Sequence, residues 1–356
     1  MVLSRGGGAA DPARSEPPAR PSVHLTAPRA VHREHDADLS GGPRHQLQRA
    51  PRPAGRGARR ARSPRIVRHM KIGTIVSPAA GWKYAELSEL AREAERAGFE
   101  SFWVSDHLFG GEGFPDRDCL EAWTLLAALA RDTTTIRLGC LVAAAQYRNP
   151  ALLAKTVAGI DQMSHGRIEF GIGAGWKEIE YRAYGYEFPG PGDRVTQLRE
   201  ALEICTRLWT QERATFRGEH YRVVDAVCAP KPAQRPHPPI WVGGSGPRVM
   251  RTAARYADGF DIGRRGASGS GRSFLTVDEL KEANAQLDEA CRAMKRTRRL
   301  MRSHWSGAEI GDEASLRELR RRIEDYEGAG LDRYVLAFPK ERAAEMIPRA
   351  ASVVRH

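Results

Sequence analysis

From Met70 onward the apolar residues follow two alternating rhythms, short solid runs and then stripes at three- and four-residue spacing. The solid runs predict eight strands. The first four are Lys71–Val76 (KIGTIV), Phe99–Ser105 (FESFWVS), Ile136–Val142 (IRLGCLV) and Arg167–Gly173 (RIEFGIG). The last four are Pro239–Val242 (PIWV), Asp258–Ile262, Leu300–Trp305 and Asp332–Phe338 (DRYVLAF). Helical stripes fill the intervals. Leu87, Leu90, Ala91 and Ala94 share one face of Tyr84–Ala97, and Gly98 stops that helix. A second helix is predicted to open at Asp118, with Glu121 three residues on as its capping partner, a buried acid of the site being the other reading of Glu121. Asn149-Pro150 opens a third, because proline at the first helical position gives up no bonded N–H. Val195, Leu198, Leu202, Cys205 and Trp209 mark a fourth, and Thr276-x-x-Glu279 is a capping box for a later one. The stretch from Gln211 to Pro238 reads as a β-hairpin around YRVV and a Pro-rich return.

Strands that are solidly apolar rather than alternating belong in a parallel sheet buried on both faces. Eight strand–helix pairs over residues 70–356 therefore predict an α/β fold, a single (β/α)8 TIM barrel, with an open doubly wound sheet as the structural alternative.

Composition separates residues 1–69 from the rest. They hold 14 Arg against 5 acidic residues, +9 of the chain's +12, with 9 Pro, 7 Gly and no Phe, Trp or Tyr. So little apolar surface cannot offset a backbone entropy of about 1–2 kcal/mol per residue, and the segment is expected to be disordered. It contains no apolar run for a signal peptide or a membrane span. Three readings stand: a start placed too early, with the natural one at Met70; a targeting or regulatory arm; or a nucleic-acid arm, which the missing stacking aromatics disfavour. Residues 70–356, net +3, form the expected enzyme domain. Its cysteines, Cys119, Cys140, Cys205, Cys228 and Cys291, are odd in number and widely spaced. No disulfide framework and no metal site is expected, and a reducing cytoplasm fits.

In a barrel of this kind reactive groups sit at the C-terminal ends of the strands. The second strand ends in Ser105-Asp106-His107, an imidazole suited to carrying a proton beside a carboxylate that can orient it; a capping Asp and a hydrogen-bonded His is the bland alternative. The third ends in Leu141-Val142-Ala143, one wall of an apolar slot or simply core. The fourth ends in Gly171-Ile172-Gly173-Ala174-Gly175-Trp176, where missing Cβ atoms would admit a flat ligand or a phosphate; a tight turn is the rival. The fifth ends in Gly243-Gly244-Ser245-Gly246-Pro247 and enters a helix directly, an anion site built of backbone N–H groups, with a plain Gly-rich turn as the rival. Arg264, Arg265 and Arg272 in the Gly263–Ser273 loop would form a basic rim or a solvated loop.

The segments LAREAERAGFESFWVSDHL, LEAWTLLAALARDTTTIRLGCLV, YRNPALLAKTVAGIDQMSHGRIEFGIGAGW and AVCAPKPAQRPHPPIWVGGSGPRVMRTAARYADGF together resemble the luciferase-like monooxygenase family, in its branch of oxidoreductases that use the deazaflavin coenzyme F420. The resemblance spans most of residues 71–262 and thins to general pattern beyond Gly263. It implies a coenzyme whose ring lies across the barrel mouth against Leu141, Val142, Ala143, Gly173, Ala174, Gly175 and Trp176. Its phosphate would lie over Gly243, Gly244, Ser245 and Gly246. A non-proline cis peptide is implied at Leu141–Val142. His107 is the implied proton carrier, with Asp106 positioning it or the ring. FMN is the alternative coenzyme, which would make the chain a monooxygenase. Members that oxidise alcohols or sugar phosphates place Glu where this chain has Trp176, which puts that activity in doubt. A small organic substrate is implied, and homodimers through outer helices are common in the family.

Overall fold

The computed structural model describes residues 70–110, 116–263 and 274–354. The basic segment 1–69 and the arginines of the Gly263–Ser273 loop lie outside the described residues.

Parallel pairing runs without a break around a ring. β1 (Lys71–Val76) pairs with β2 (Ser101–Val104), which pairs with β3 (Arg137–Cys140). Two residues, β4 (Ala143–Ala144), continue β3 after an interruption and join β5 (Ile168–Gly173). β6 (Ala214–Arg217) and β7 (Arg222–Ala226) form the separate antiparallel hairpin expected around YRVV. The ring resumes with β8 (Ile240–Gly244), β9 (Gly259–Ile262), β10 (Met301–Gly307) and β11 (Arg333–Ala337), which returns to β1. β3 pairs with β5 and β5 with β8, so the sheet is closed and the doubly wound alternative is excluded.

The helices are α1 (Tyr84–Ala97), α2 (Ala122–Asp132), α3 (Pro150–Met163), α4 (Glu178–Ala183), α5 (Pro191–Thr210), α6 (Pro247–Tyr256), α7 (Val277–Ala293), α8 (Glu313–Gly328) and α9 (Ala343–Val354). None described is long and apolar enough to cross a membrane. Their buried stripes and the outward strand residues form the main core, which includes Leu87, Leu126, Val157, Leu202, Phe170 and Phe260. A small separate cluster fills the barrel itself: Ile75, Trp103, Leu141, Trp241 and Val335, the two indoles meeting edge to face at 6.1 Å. Asn149, Gly98 and Thr276 cap as expected.

The second helix corrects the expected start. It begins at Ala122, and Glu121 is itself the N-cap, accepting the Thr124 N–H at 2.6 Å. Asp118 instead pairs with Lys83 at the surface. A glutamate at the cap has the reach to close the first turn alone, so the upstream acid is not needed.

Candidate active site

All the C-terminal strand ends face one cavity of about 600 Å³. Its floor begins where β3 stops. The Leu141–Val142 peptide is cis, as the family resemblance implied, and it interrupts the strand before β4 resumes. The Val142 side chain lies against two strand-end glycines. A Cβ on Gly173 would stand 2.8 Å from Val142 Cγ2, and one on Gly243 would stand 2.9 Å from Val142 Cγ1. These glycines therefore make room for the protein's own bulge; the sequence reading has Gly173 admitting a flat ligand or a phosphate and Gly243 opening an anion site. A ligand would meet Val142. Gly175 is the tight turn of the rival reading: its φ is 72°, and a Cβ there would strike the Tyr181 hydroxyl.

Asp106 and His107 both line the cavity, but they do not serve each other. Asp106 is bidentate with Arg148, at 2.7 and 2.9 Å, and accepts the Ala144 N–H at 3.1 Å. It thereby clamps the end of β2 to the resumed strand β4 and to the start of α3. Arg148 also bonds Glu121, so that residue both caps α2 and completes an acid–base–acid row. Burial disfavours the Arg148 charge, yet hydrogen bonding and attraction from Asp106 and Glu121 raise its pKa overall.

His107 is held by Glu180, with Nδ1 3.1 and 3.2 Å from the two carboxylate oxygens. Glu180 is fully buried and also accepts from Tyr147 Oη at 2.7 Å and Lys177 Nζ at 2.8 Å. Burial opposes its ionisation, but the bonds from His107, Lys177 and Tyr147 outweigh that and hold its pKa below the usual carboxylate value. An ionised carboxylate can only accept, so neutral His107 carries its proton on Nδ1, leaving Nε2 to take or release one. The Trp176 ring packs edge-on to the imidazole at 6.0 Å and is 60% exposed at the rim. Thus the position where alcohol-oxidising members are said to carry Glu holds an indole, and the carboxylate on His107 comes from one helical turn further on.

Gly243 and Gly244 line the cavity beside Ala143, Ala144 and Ala174. Ser245 borders a neighbouring space of about 250 Å³ next to α7, and Gly246 is the N-cap of α6. Gly246 has no side chain to cap that helix and Pro247 opens it, so its first-turn N–H groups at Arg248 and Val249 are suited to an anion.

Sequence reasoning missed Arg148, Tyr147, Lys177 and Glu180. Lys177-x-x-Glu180 was the one local signal, a spacing that puts both on one side of a turn.

The luciferase-like monooxygenase family model matches residues 70–297. The chain belongs to this family. A Mycobacterium tuberculosis protein described as uncharacterized is 38% identical over 48% of this chain and 64% of its own length. An F420-dependent glucose-6-phosphate dehydrogenase of Intrasporangium calvum is 36% identical over 61% of this chain and 65% of its own. The chain thus spans just under two thirds of these relatives. The solved structure of an F420-dependent secondary alcohol dehydrogenase in complex with an F420-acetone adduct shares the fold, with a TM-score of 0.68 at 20% identity over 81% of this chain and 99% of that one.

Proposed function

We propose that this family member is an F420-dependent oxidoreductase that transfers hydride between the coenzyme and a small organic substrate. The observation that carries the reading is the cavity floor: a cis bulge at Leu141–Val142, nested in Gly173 and Gly243, facing an imidazole whose far nitrogen is held by a buried carboxylate. The F420 dependence named for the Intrasporangium calvum relative supports the choice of coenzyme.

Coenzyme F420, when bound, supplies the hydride chemistry. The chain supplies the rest. Val142, with Leu141 and Ala143, presents an apolar support for a flat ring. The Gly243–Gly246 backbone and the uncapped start of α6 would hold the phosphate. Gly173, Ala174, Gly175 and Trp176 form the adjoining wall. His107 Nε2 takes or delivers the substrate proton. Glu180 keeps the opposite nitrogen protonated and steadies the imidazolium when it forms. Asp106 positions the strand end that carries His107, through Arg148 and the Ala144 amide, and has no direct role on the imidazole.

Separate titrations of the purified chain with F420 and FMN test the coenzyme. Tighter binding of F420 is the expected result. Binding of FMN alone would replace this reading with the monooxygenase one.

A further inference from the structure

One acid on the cavity floor has no part in the chemistry above. Asp261 closes the inward side of β9, four strands round the ring from His107, and lines the cavity while only 4% exposed. Its Oδ1 accepts from Ser303 Oγ at 2.6 Å, its only side-chain hydrogen bond among the described residues.

Among the described residues, the elements around it bring no cation into hydrogen-bonding contact. β8 places Gly243 beside it. β10 contributes Ser303, while His304 turns outward, Nδ1 on the Ile262 carbonyl at 2.9 Å and Nε2 taking the Leu275 N–H. β11 contributes Arg333, which attracts Asp261 through space but is hydrogen-bonded to Glu169 and Glu100. Across the cavity stand Asp106, His107, Lys177 and Glu180, and Lys340 lies on its edge. The two lysines are engaged, Lys177 with Glu180 and Lys340 with the Gly81 carbonyl.

A carboxylate buried without a cation disfavours its own ionised form. Burial raises Asp261 to about 6 against the lowering by Ser303 and Arg333. A flat ligand laid over it would strip the remaining water and push in the same direction.

We propose that Asp261 is a coenzyme-binding residue: in the filled cavity it stands as a neutral acid, Ser303 bonded to one oxygen, the other donating its proton to a carbonyl oxygen of the bound ring. The inference rests on the coenzyme reading above. It predicts that the ring binds together with a proton and that affinity falls as pH rises above the value of the empty site.

The test is F420 titration of the full chain from pH 5.5 to 8.5, with calorimetry in two buffers of different ionisation heat to count protons. Wild type should bind with net proton uptake and weaken, by up to about tenfold per pH unit, above pH ~6. Asp261→Asn keeps one donor and one acceptor, so it should bind with nearly wild-type affinity at low pH and without that slope. Asp261→Ala should bind about tenfold more weakly at low pH. A slope that survives in Asp261→Asn, or a wild-type affinity that rises with pH, overturns the inference while leaving F420 binding intact. Failure of wild type and variants alike to bind F420 at any pH overturns the coenzyme reading and this inference together.

Discussion

At the N-terminal end of the barrel Arg333 reaches Glu169 at 2.6 and 3.0 Å and Glu100 at 2.9 Å, while Arg137 meets Glu169 from the neighbouring strand. The guanidinium lies over both Trp241 and Trp103, at 4.5 and 5.3 Å from the ring centroids. Burial opposes ionisation of Glu169, yet the two arginines hold it well below its usual value. At the C-terminal end, four residues along from Glu169 and Arg137, stand Gly173 and Leu141, and with Gly243 and Asp261 of β8 and β9 they line the cavity. There Asp261 has a hydroxyl for company and, among the described residues, no cation bonded to it. Charge at the base is matched inside the protein, and at the mouth Asp106 and Glu180 are matched by Arg148 and Lys177, whereas Asp261 has no cation bonded to it among the described residues. The base is built for stability and the mouth for binding, in line with the division of labour in this barrel fold.

The largest test of that contrast is Arg333→Met. It leaves Glu169 and Glu100 without their shared partner and should cost about 3–5 kcal/mol of unfolding free energy. Denaturant titration reads this directly, and a loss below about 1 kcal/mol would dissolve the distinction between the two ends.

His107→Ala should leave the fold and F420 affinity unchanged while lowering turnover by roughly 10²–10⁴-fold, the range for removing a general acid or base. Steady-state kinetics beside a binding titration separates the two, and unchanged turnover removes His107 from the chemistry.

Asp261→Asn should act in the opposite sense to the base substitution and stabilise the empty protein. The folded pKa of about 6 lies above the ordinary 3.8, so the folded chain binds the extra proton between those values. Stability therefore falls as pH rises from about 4 to about 6 and stays lower above that. The Asn variant escapes this loss and should be more stable at pH 7.5 by on the order of 2–3 kcal/mol, with little difference at pH 4. Unfolding curves at both pH values decide it.

The smallest effect is expected at Gly175→Ala. A left-handed backbone and the Tyr181 hydroxyl both resist the added methyl, at about 1–2 kcal/mol. Retention of full stability and of F420 affinity would show that the turn after β5 is looser than its geometry implies.

How much could be read in advance varies with the range of the interaction. The eight barrel strands were placed to within one or two residues, because a strand buried on both faces must be apolar throughout. Local caps such as Asn149 and Thr276 were legible for the same reason: partner and acceptor lie within one turn. Helix α4 was not anticipated, since EIEYRA carries no apolar stripe; what it buries is Glu180 and Tyr181. Adjacency suggests Asp106 as a partner for His107, with the ring as its alternative, yet successive strand-end residues point differently, and each has its partner far away, 42 residues on in Arg148 and 73 in Glu180. Asp261 carried no signal at all, since a lone acid at a strand end looks alike whether it is solvated or sealed.

The chain alone determined the rhythm of strands and helices, which predicts a barrel that the β3–β5 and β5–β8 pairings then close, and it marked the ends where glycines, an imidazole and a helix start gather. Only tertiary structure decided which carboxylate serves the imidazole, what fills the space the glycines leave, and which acid is buried with a hydroxyl as its bonded partner. Hydrophobic periodicity is a property of neighbouring residues and survives in a one-dimensional string. Charge pairing and desolvation depend on what the closed ring brings within about 3 Å, and residues tens of positions apart have no such distance until it closes.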